Sequence, residues 1–195
     1  MATVVLFHSV LGVRPGVLDA ADRLRADGHE VVVPDLFGGR TFDEYGPAMS
    51  YAWEELGIAA LTATALDAVD GLPDDLVSAG FSLGCVMAVH VATSRPVSRV
   101  LMVAGAVPPS GFGDGRSWPA GVPAQTHATF GDPWRDDEEL AQTVRDVEAG
   151  GGSIEVFDDP GSSHLWSDPS LPAEYDPTIT EQFWARALPF VRGGG

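Results

Sequence analysis

Short apolar runs alternate with longer segments of helical periodicity along this chain. The first run, residues 3–7, is apolar at successive positions, which is typical of a strand covered on both faces. Further short apolar runs follow, and several of them end at glycine or proline. The pattern predicts six strands, at residues 3–7, 30–33, 76–81, 97–104, 122–130 and 154–157.

Helices are predicted between these strands by apolar residues at spacings of three and four. The predicted helices lie at residues 17–25, 53–69, 84–94, 136–149 and 178–191. Strands that alternate with helices predict an α/β fold, with a mostly parallel open sheet and helices on both faces. Because there is no internal repeat and little room for a separate cap domain, residues 1–195 are expected to form a single domain.

The composition is strongly acidic. The chain has 28 acidic residues against 11 basic ones, all of them arginine, and a formal net charge of −17. A surface with this charge repels nucleic acids and anionic membranes, so neither is expected as a partner. We interpret the charge as a solubility property of the surface, and it identifies no site.

The sequence has no signal of a membrane protein or a metalloprotein. No run is long and apolar enough to span a bilayer, and no basic segment precedes an apolar stretch at the N-terminus. The single cysteine, Cys85, cannot form an internal disulfide, and no Cys–His cluster suggests structural zinc. Cys85 is expected to be a small buried core residue. We therefore expect a cytoplasmic protein that needs no metal and no other cofactor.

The segment Gly80-Phe81-Ser82-Leu83-Gly84 lies where a predicted strand gives way to a predicted helix. In that context a Gly-x-Ser-x-Gly pattern predicts a sharp turn that raises the serine oxygen above the sheet. The two glycines remove Cβ atoms that so tight a turn would bring into collision. Ser82 is therefore the candidate nucleophile, and the alternative is a plain turn between a strand and a helix.

A serine nucleophile needs a histidine base that a carboxylate orients. In enzymes with this turn, the acid and then the histidine follow the serine along the chain. His164, in a loop after the last predicted strand, is favoured as the base over His127, which lies inside a strand. Asp132 directly follows a predicted strand and is favoured as the acid over Asp158 and Asp159.

The candidate residues each follow a predicted strand. Ligands of open parallel sheets bind at the carboxyl ends of the strands, so Ser82, Asp132 and His164 are expected to meet at one edge. Two backbone N–H groups are also needed there to stabilise developing negative charge. The candidates are Leu83 in the turn and Val10 in the loop after the first strand.

Several segments of the chain, spread over nearly its whole length, resemble the dienelactone hydrolase family of small α/β-hydrolases. They are Ala21-Asp22-Arg23-Leu24, Pro34-Asp35-Leu36-Phe37, Gly80 to Gly84, Phe130-Gly131-Asp132, Ser163-His164-Leu165-Trp166 and Phe183-Trp184-Ala185-Arg186. The first two are the most specific. The resemblance implies an α/β-hydrolase fold with Ser82, Asp132 and His164 at the catalytic triad positions. It also places Val10 and Leu83 at the backbone donors of the oxyanion hole.

The chain departs from the family pattern at three positions. The name-giving enzymes use cysteine as the nucleophile, where this chain has Ser82, as many relatives do. A glutamate of their first loop is replaced by Ser9, and an arginine that holds the substrate carboxylate is replaced by Asp168. Arg14 and Arg40, in other loops, are the remaining candidates for binding a carboxylate. We therefore expect a neutral substrate to be preferred, and dienelactone itself is not expected to be favoured.

Together these features predict an enzyme that cleaves a small carboxylic ester or lactone. Its pocket is predicted to be lined by Ser9, Phe37, Trp53, Trp134 and Trp166. The protein is expected to act as a monomer or a weak homodimer. Two alternatives stay open. One is a catalytically silent protein that binds a ligand or partner in the same cleft, and the other is a thioesterase or peptidase that uses the same triad.

Overall fold

Six strands form one open sheet in the computed structural model, which describes residues 1–193. The strands are β1 (Thr3–Phe7), β2 (Glu30–Val32), β3 (Val77–Phe81), β4 (Arg99–Val103), β5 (Ala124–Thr129) and β6 (Ile154–Asp159). Their order across the sheet is β2-β1-β3-β4-β5-β6, and each strand pairs with its neighbours in parallel. The six predicted strands and the open parallel sheet are confirmed.

In the described chain, six α-helices lie between these strands or after the last of them. They are α1 (Pro15–Ala26), α2 (Tyr45–Ser50), α3 (Ile58–Asp67), α4 (Leu83–Ala92), α5 (Asp137–Ala149) and α6 (Pro177–Arg192). A π-helical turn, Tyr51–Leu56, directly follows α2, and a 3₁₀ turn, Pro109–Phe112, follows β4. Within residues 1–193, none of the helices combines the length and the apolar character needed to cross a membrane.

The helices cover both faces of the sheet. On one face, the hydroxyl of Ser78 in β3 donates to the carbonyl of Ala88 in α4, at 3.0 Å. His127 in β5 packs edge-on against Phe183 of α6, with ring centroids 4.8 Å apart. Ser78 and His127 are in register with positions of β4 that lie three residues apart, so their side chains point to opposite faces. The prediction of helices on both faces is therefore confirmed.

The turn between β3 and α4 is tight on both sides of Ser82. A Cβ atom at Gly80 would collide with the carbonyl oxygen of Gly84, and one at Gly84 would collide with that of Phe7 in β1. Ser82 itself has φ +52°, a conformation that costs a residue other than glycine about 1–3 kcal/mol. The strain is retained because all of β3 and nine of the ten residues of α4 are buried and hold the chain on either side.

The single helix predicted at residues 53–69 is wrong. Gly57 has φ +78°, which lies outside the helical region, and it separates the π-helical turn from α3. The helical segment before this break begins at Tyr45, eight residues earlier than the prediction. The spacing of apolar residues continues through Gly57, so periodicity alone does not show the interruption.

Strand β6 continues two residues beyond the prediction and includes Asp158 and Asp159. Its backbone stays paired with β5 through both residues. Consecutive residues of a strand point to opposite faces, so these two adjacent carboxylates lie on opposite sides of the sheet. Arg135 binds the first carboxylate and Arg186 binds the second.

Replacing Gly84 by alanine is expected to destabilise the protein by about 2–3 kcal/mol, because the new methyl group must displace the backbone of β1. Gly46→Ala is the matched control, since Gly46 lies in α2 with open space around its Cβ position. It is expected to be neutral or to stabilise by up to about 1 kcal/mol through helix propensity. Urea unfolding measures both free energies, and equal effects of the two substitutions would contradict this account of the turn.

Candidate active site

Three side chains from separate loops meet at the carboxyl edge of the sheet. Nε2 of His164 lies 2.7 Å from the hydroxyl oxygen of Ser82. Nδ1 of the same imidazole lies 2.7 Å from Oδ2 of Asp132. When the neutral imidazole donates from Nδ1 to the carboxylate, Nε2 is left to accept the serine hydroxyl hydrogen. The structure thus brings the three predicted residues together in the order of nucleophile, base and orienting acid.

Hydrogen bonds tie the turn after β5 to the loop after β6. The N–H of Gly131 donates to the carbonyl of Gly161 at 2.8 Å. The hydroxyl of Thr129, the last residue of β5, donates to the carbonyl of Ser163, also at 2.8 Å. These bonds hold the segment that carries the acid against the segment that carries the histidine, so the two side chains do not depend on each other alone for their positions.

Both oxygens of the Asp132 carboxylate have partners. Oδ2 faces His164, and Oδ1 accepts a hydrogen bond from the backbone N–H of Trp134 at 2.8 Å. The side chain of Asp132 is 3% exposed and that of His164 is 7% exposed. A hydrogen bond to an ionised carboxylate is about twice as strong as one between neutral groups. The buried carboxylate is therefore fixed in the orientation that holds the imidazole.

The other candidates for acid and base have different partners. Asp158 forms a two-point ion pair with Arg135, and Asp159 lies 2.8 Å from Arg186 on the opposite face of the sheet. His127 is buried on the α6 face, and this burial lowers its pKa to about 3. In the described chain, none of these three candidates contacts the serine hydroxyl, so the contacts favour Asp132 as the acid and His164 as the base.

Val10 and Leu83, the two residues predicted as oxyanion donors, line the same cavity as Ser82. Leu83 is the first residue of α4, so its N–H has no acceptor within the helix. Val10 lies in the loop after β1, and its N–H donates to no acceptor among residues 1–193. Both residues line the cavity into which Ser82 opens. The two residues predicted as donors therefore both lie at the cavity, and neither backbone N–H has an acceptor among residues 1–193.

Cys85 is held away from this cavity. Its Sγ lies 3.2 Å from the carbonyl oxygen of Gly80 and 3.4 Å from that of Val103, inside the core. Burial raises the pKa of the thiol to about 12, so the reactive thiolate does not form near neutral pH. The prediction that Cys85 is a buried core residue is confirmed.

A cavity of about 240 Å³ opens directly over Ser82. One wall comes from α2 and the π-helical turn, where Tyr45, Met49 and Trp53 lie at four-residue spacing on one helical face. Trp134, in the turn after β5, also lines the cavity. The two tryptophans are 43% and 49% exposed, so they form part of the cavity rim. Both were predicted from the sequence as lining residues.

Three other residues predicted to line the pocket lie in the packed interior. Trp166 is completely buried and packs edge-on against Phe183 of α6. Phe37 packs against the ring of His8, with centroids 4.8 Å apart. Ser9 is buried in the turn after β1, where its hydroxyl accepts a backbone N–H of the same turn. These three predictions are wrong, because a position near the site in the sequence does not decide which way a side chain points.

Tyr45 packs against His164 and is bound by Glu174, and neither residue was among those predicted. The Tyr45 ring meets the imidazole edge-on, with centroids 5.9 Å apart. Its hydroxyl donates to Glu174 at 2.8 Å, and the same carboxylate accepts the N–H of Leu165, also at 2.8 Å. Burial raises the pKa of Tyr45, so the phenol stays a donor. No sequence signal marks this contact, since its partners are 129 residues apart.

The arginines proposed from the sequence lie outside the cavity. Arg14 pairs with the carboxylate of Asp43 at 2.7 Å. The guanidinium of Arg40 lies over the ring of Tyr51, 4.6 Å from its centroid. Arg135, which was not among the predicted residues, is the arginine that lines the cavity in the described chain.

Asp168, which the resemblance in sequence suggested in place of a substrate-binding arginine, also lies outside the cavity. Its carboxylate accepts the N–H and the hydroxyl of Ser170, at 2.8 and 2.6 Å, and lies against Gly16 at the start of α1. It therefore does not contact a substrate in the cavity. Among residues 1–193, no three histidine, cysteine or acidic side chains are grouped so that they could hold a metal ion.

A family model and several solved structures match this chain. The model of the dienelactone hydrolase family matches residues 1–193. No curated protein matches the sequence.

Several solved structures resemble this chain. A dienelactone hydrolase-like promiscuous phosphotriesterase, P91, from metagenomic libraries has a TM-score of 0.81 at 19% identity, and the match covers 99% of this chain and 86% of that one. Mouse α/β hydrolase domain-containing protein 10 has a TM-score of 0.70 at 11% identity, covering 99% and 90%. Esterase PE8 has a TM-score of 0.66 at 17% identity, covering 98% and 92%. At these identities the structures show the fold alone, and the predicted α/β-hydrolase fold is confirmed.

Cys85 is expected not to react with Ellman's reagent in the native protein at about pH 8, because its thiol is buried and protonated there. Unfolding in guanidinium chloride is expected to release one reactive thiol per chain, as the sequence contains a single cysteine. Absorbance of the released thionitrobenzoate measures both states. Rapid reaction of the native protein would contradict the burial of Cys85.

Proposed function

Because this chain belongs to the dienelactone hydrolase family, we propose that it is a serine hydrolase that cleaves a small carboxylic ester or lactone. The observation that carries the proposal is the pair of 2.7 Å contacts that link Ser82, His164 and Asp132. These contacts lie at the floor of a cavity that has room for a small substrate. They supply a nucleophile, a base and an acid in the geometry that acyl transfer needs.

The reaction begins when the Ser82 oxygen attacks the substrate carbonyl. His164 accepts the serine proton at Nε2 as the new carbon–oxygen bond forms. The carbonyl oxygen becomes an oxyanion, and the N–H groups of Val10 and Leu83 donate hydrogen bonds to it. His164 then returns the proton to the leaving alcohol oxygen, and an acyl group remains on Ser82. In a lactone the leaving oxygen stays attached to the acyl group.

Water completes the reaction by the same steps in reverse order. His164 takes a proton from the water, whose oxygen attacks the acyl carbonyl, and the proton returns to the Ser82 oxygen as the acid product leaves. Asp132 remains ionised throughout. It accepts the Nδ1–H of the imidazole and stabilises the positive charge that the ring carries after each proton transfer.

The cavity favours small and uncharged substrates. Its volume of about 240 Å³ and its wall of Tyr45, Met49 and Trp53 suit a short acyl group. Three charged residues were candidates for contact with a substrate carboxylate: Arg14, Arg40 and Asp168. All three lie outside the cavity, so they do not contact the substrate directly.

Ser82→Ala is expected to lower the rate of hydrolysis of a short-chain para-nitrophenyl ester by about 10⁴-fold or more, because the acyl intermediate can no longer form. Cys85→Ala is the matched control, since it removes the other nucleophilic side chain near the turn, and it is expected to keep measurable activity. Circular dichroism shows whether each variant is folded. A fully active Ser82→Ala protein would rule out the proposed nucleophile.

Asp132→Asn is expected to lower kcat by about 10⁴-fold, because the amide no longer holds the imidazole in the required tautomer. His164→Ala is expected to be equally damaging, since the base itself is lost. Asp159→Asn is the matched control for the acid, because it removes another buried carboxylate, which pairs with the partly exposed Arg186 on the other face of the sheet. If Asp159→Asn removed activity and Asp132→Asn did not, the assignment of the acid would be wrong.

A further inference from the structure

Arg135 and Asp158 face each other across one side of the cavity, and both line it. Nη1 of Arg135 lies 2.5 Å from Oδ1 of Asp158, and Nη2 lies 3.1 Å from Oδ2. The side chains are 16% and 21% exposed. Two parallel bonds between a guanidinium and a carboxylate form the most directional ion pair available to proteins. The pair is therefore a fixed part of the cavity wall.

Asp158 reaches the cavity because of its position in β6. Thr126, Ala128 and Val156 also line the cavity, and the register of β5 with β6 places them on the same face as Asp158. The next residue, Asp159, points to the opposite face. If β6 ended at Phe157, as the sequence predicted, strand alternation would not fix the side of the sheet on which the Asp158 carboxylate lies.

Arg135 has a second carboxylate partner outside the cavity. Its Nε lies 2.6 Å from Oδ1 of Asp137, a side chain that is 81% exposed. Both carboxylates raise the pKa of Arg135, with Asp158 contributing most, so the guanidinium stays protonated. Of these two carboxylates, Asp158 lines the cavity and Asp137 does not. Asp137 therefore provides a natural comparison for the effect of Asp158.

Arg135 is the one positively charged side chain among the cavity-lining residues in the described part of the chain. Asp158 cancels its charge. The other carboxylates at the cavity are Asp132, which holds His164, Asp136, which caps α5, and Glu139 in the first turn of that helix. A substrate carboxylate that enters the cavity thus leaves water without gaining a free cation, which is energetically unfavourable.

We propose that Asp158 is a specificity-determining residue: by holding Arg135 in an ion pair, it prevents that arginine from binding a substrate carboxylate, and the enzyme therefore acts on uncharged esters. This inference rests on the proposed hydrolase function. Removing the charge of Asp158 while keeping an acceptor of the same shape leaves the exposed Asp137, bound at Nε, as the carboxylate partner of Arg135, and its Nη1 and Nη2 groups no longer face a carboxylate. The same cavity then gains a binding group for an anionic acyl chain.

The test compares two esters that differ in charge, para-nitrophenyl pentanoate and para-nitrophenyl hemisuccinate. The measured quantity is the ratio of kcat/KM for the hemisuccinate to kcat/KM for the pentanoate. Wild-type protein is expected to prefer the pentanoate. Asp158→Asn is expected to raise the ratio by about 10- to 100-fold, the size of one charge-assisted hydrogen bond. Asp137→Asn removes a carboxylate that binds the same arginine from outside the cavity. Because Asp137 is exposed, this substitution is expected to change the ratio by less than about threefold.

A second variant keeps the test decisive if Asp158→Asn does not fold. Arg135→Gln leaves Asp158 as an unpaired carboxylate at the cavity, so the ratio is expected to fall below the wild-type value. An unchanged ratio in folded Asp158→Asn, an equal rise in Asp137→Asn, or a wild-type preference for the hemisuccinate would each overturn the role of Asp158. Absence of hydrolysis of both esters by wild-type protein would instead overturn the proposed function.

Discussion

The tight turn at Ser82 is the constraint on which the rest of this site depends. Backbone atoms of β1 and α4 occupy the space where side chains of Gly80 and Gly84 would lie, and Ser82 is held at positive φ between two buried elements. A strained residue persists only where its surroundings determine its conformation completely. The backbone of Ser82 is therefore fixed at the start of a helix, and the other functional groups must be brought to it.

The parallel sheet brings them there. The loops after β5 and β6 leave the same edge as the turn at Ser82. A backbone hydrogen bond and a bond from the Thr129 hydroxyl to a backbone carbonyl hold the segments that carry Asp132 and His164 together. The alternation of side chains along β6 then separates two neighbouring carboxylates. Asp158 neutralises an arginine in the cavity, whereas Asp159 pairs with a different arginine on the other face. One regular strand thus sets the charge of the site and stabilises the opposite side of the sheet.

The features that follow from strand ends could be predicted from the sequence. The apolar runs locate the strands, and the residues that follow them, Ser82, Asp132 and His164, meet as the geometry of parallel sheets requires. No comparable rule predicts from the sequence which way a side chain in a loop points. Trp166 is two residues from His164 in the sequence and was therefore predicted to line the pocket, but its side chain is completely buried in the core.

The cavity wall was harder to predict for a related reason. Tyr45 and Met49 lie in a helical segment that Gly57 separates from α3, and the apolar spacing that runs across Gly57 suggests one longer helix that starts later. The contact between Tyr45 and Glu174 joins residues far apart in the chain. Such contacts depend on tertiary packing, which local periodicity does not record.

Mass spectrometry of the protein after reaction with a fluorophosphonate tests the central claim most directly, since the reagent phosphonylates a serine that a neighbouring base activates. The account predicts one adduct per chain, on the peptide that contains Ser82, and no adduct in the His164→Ala protein. An adduct on another residue, or an unmodified protein that still hydrolyses esters, would contradict it.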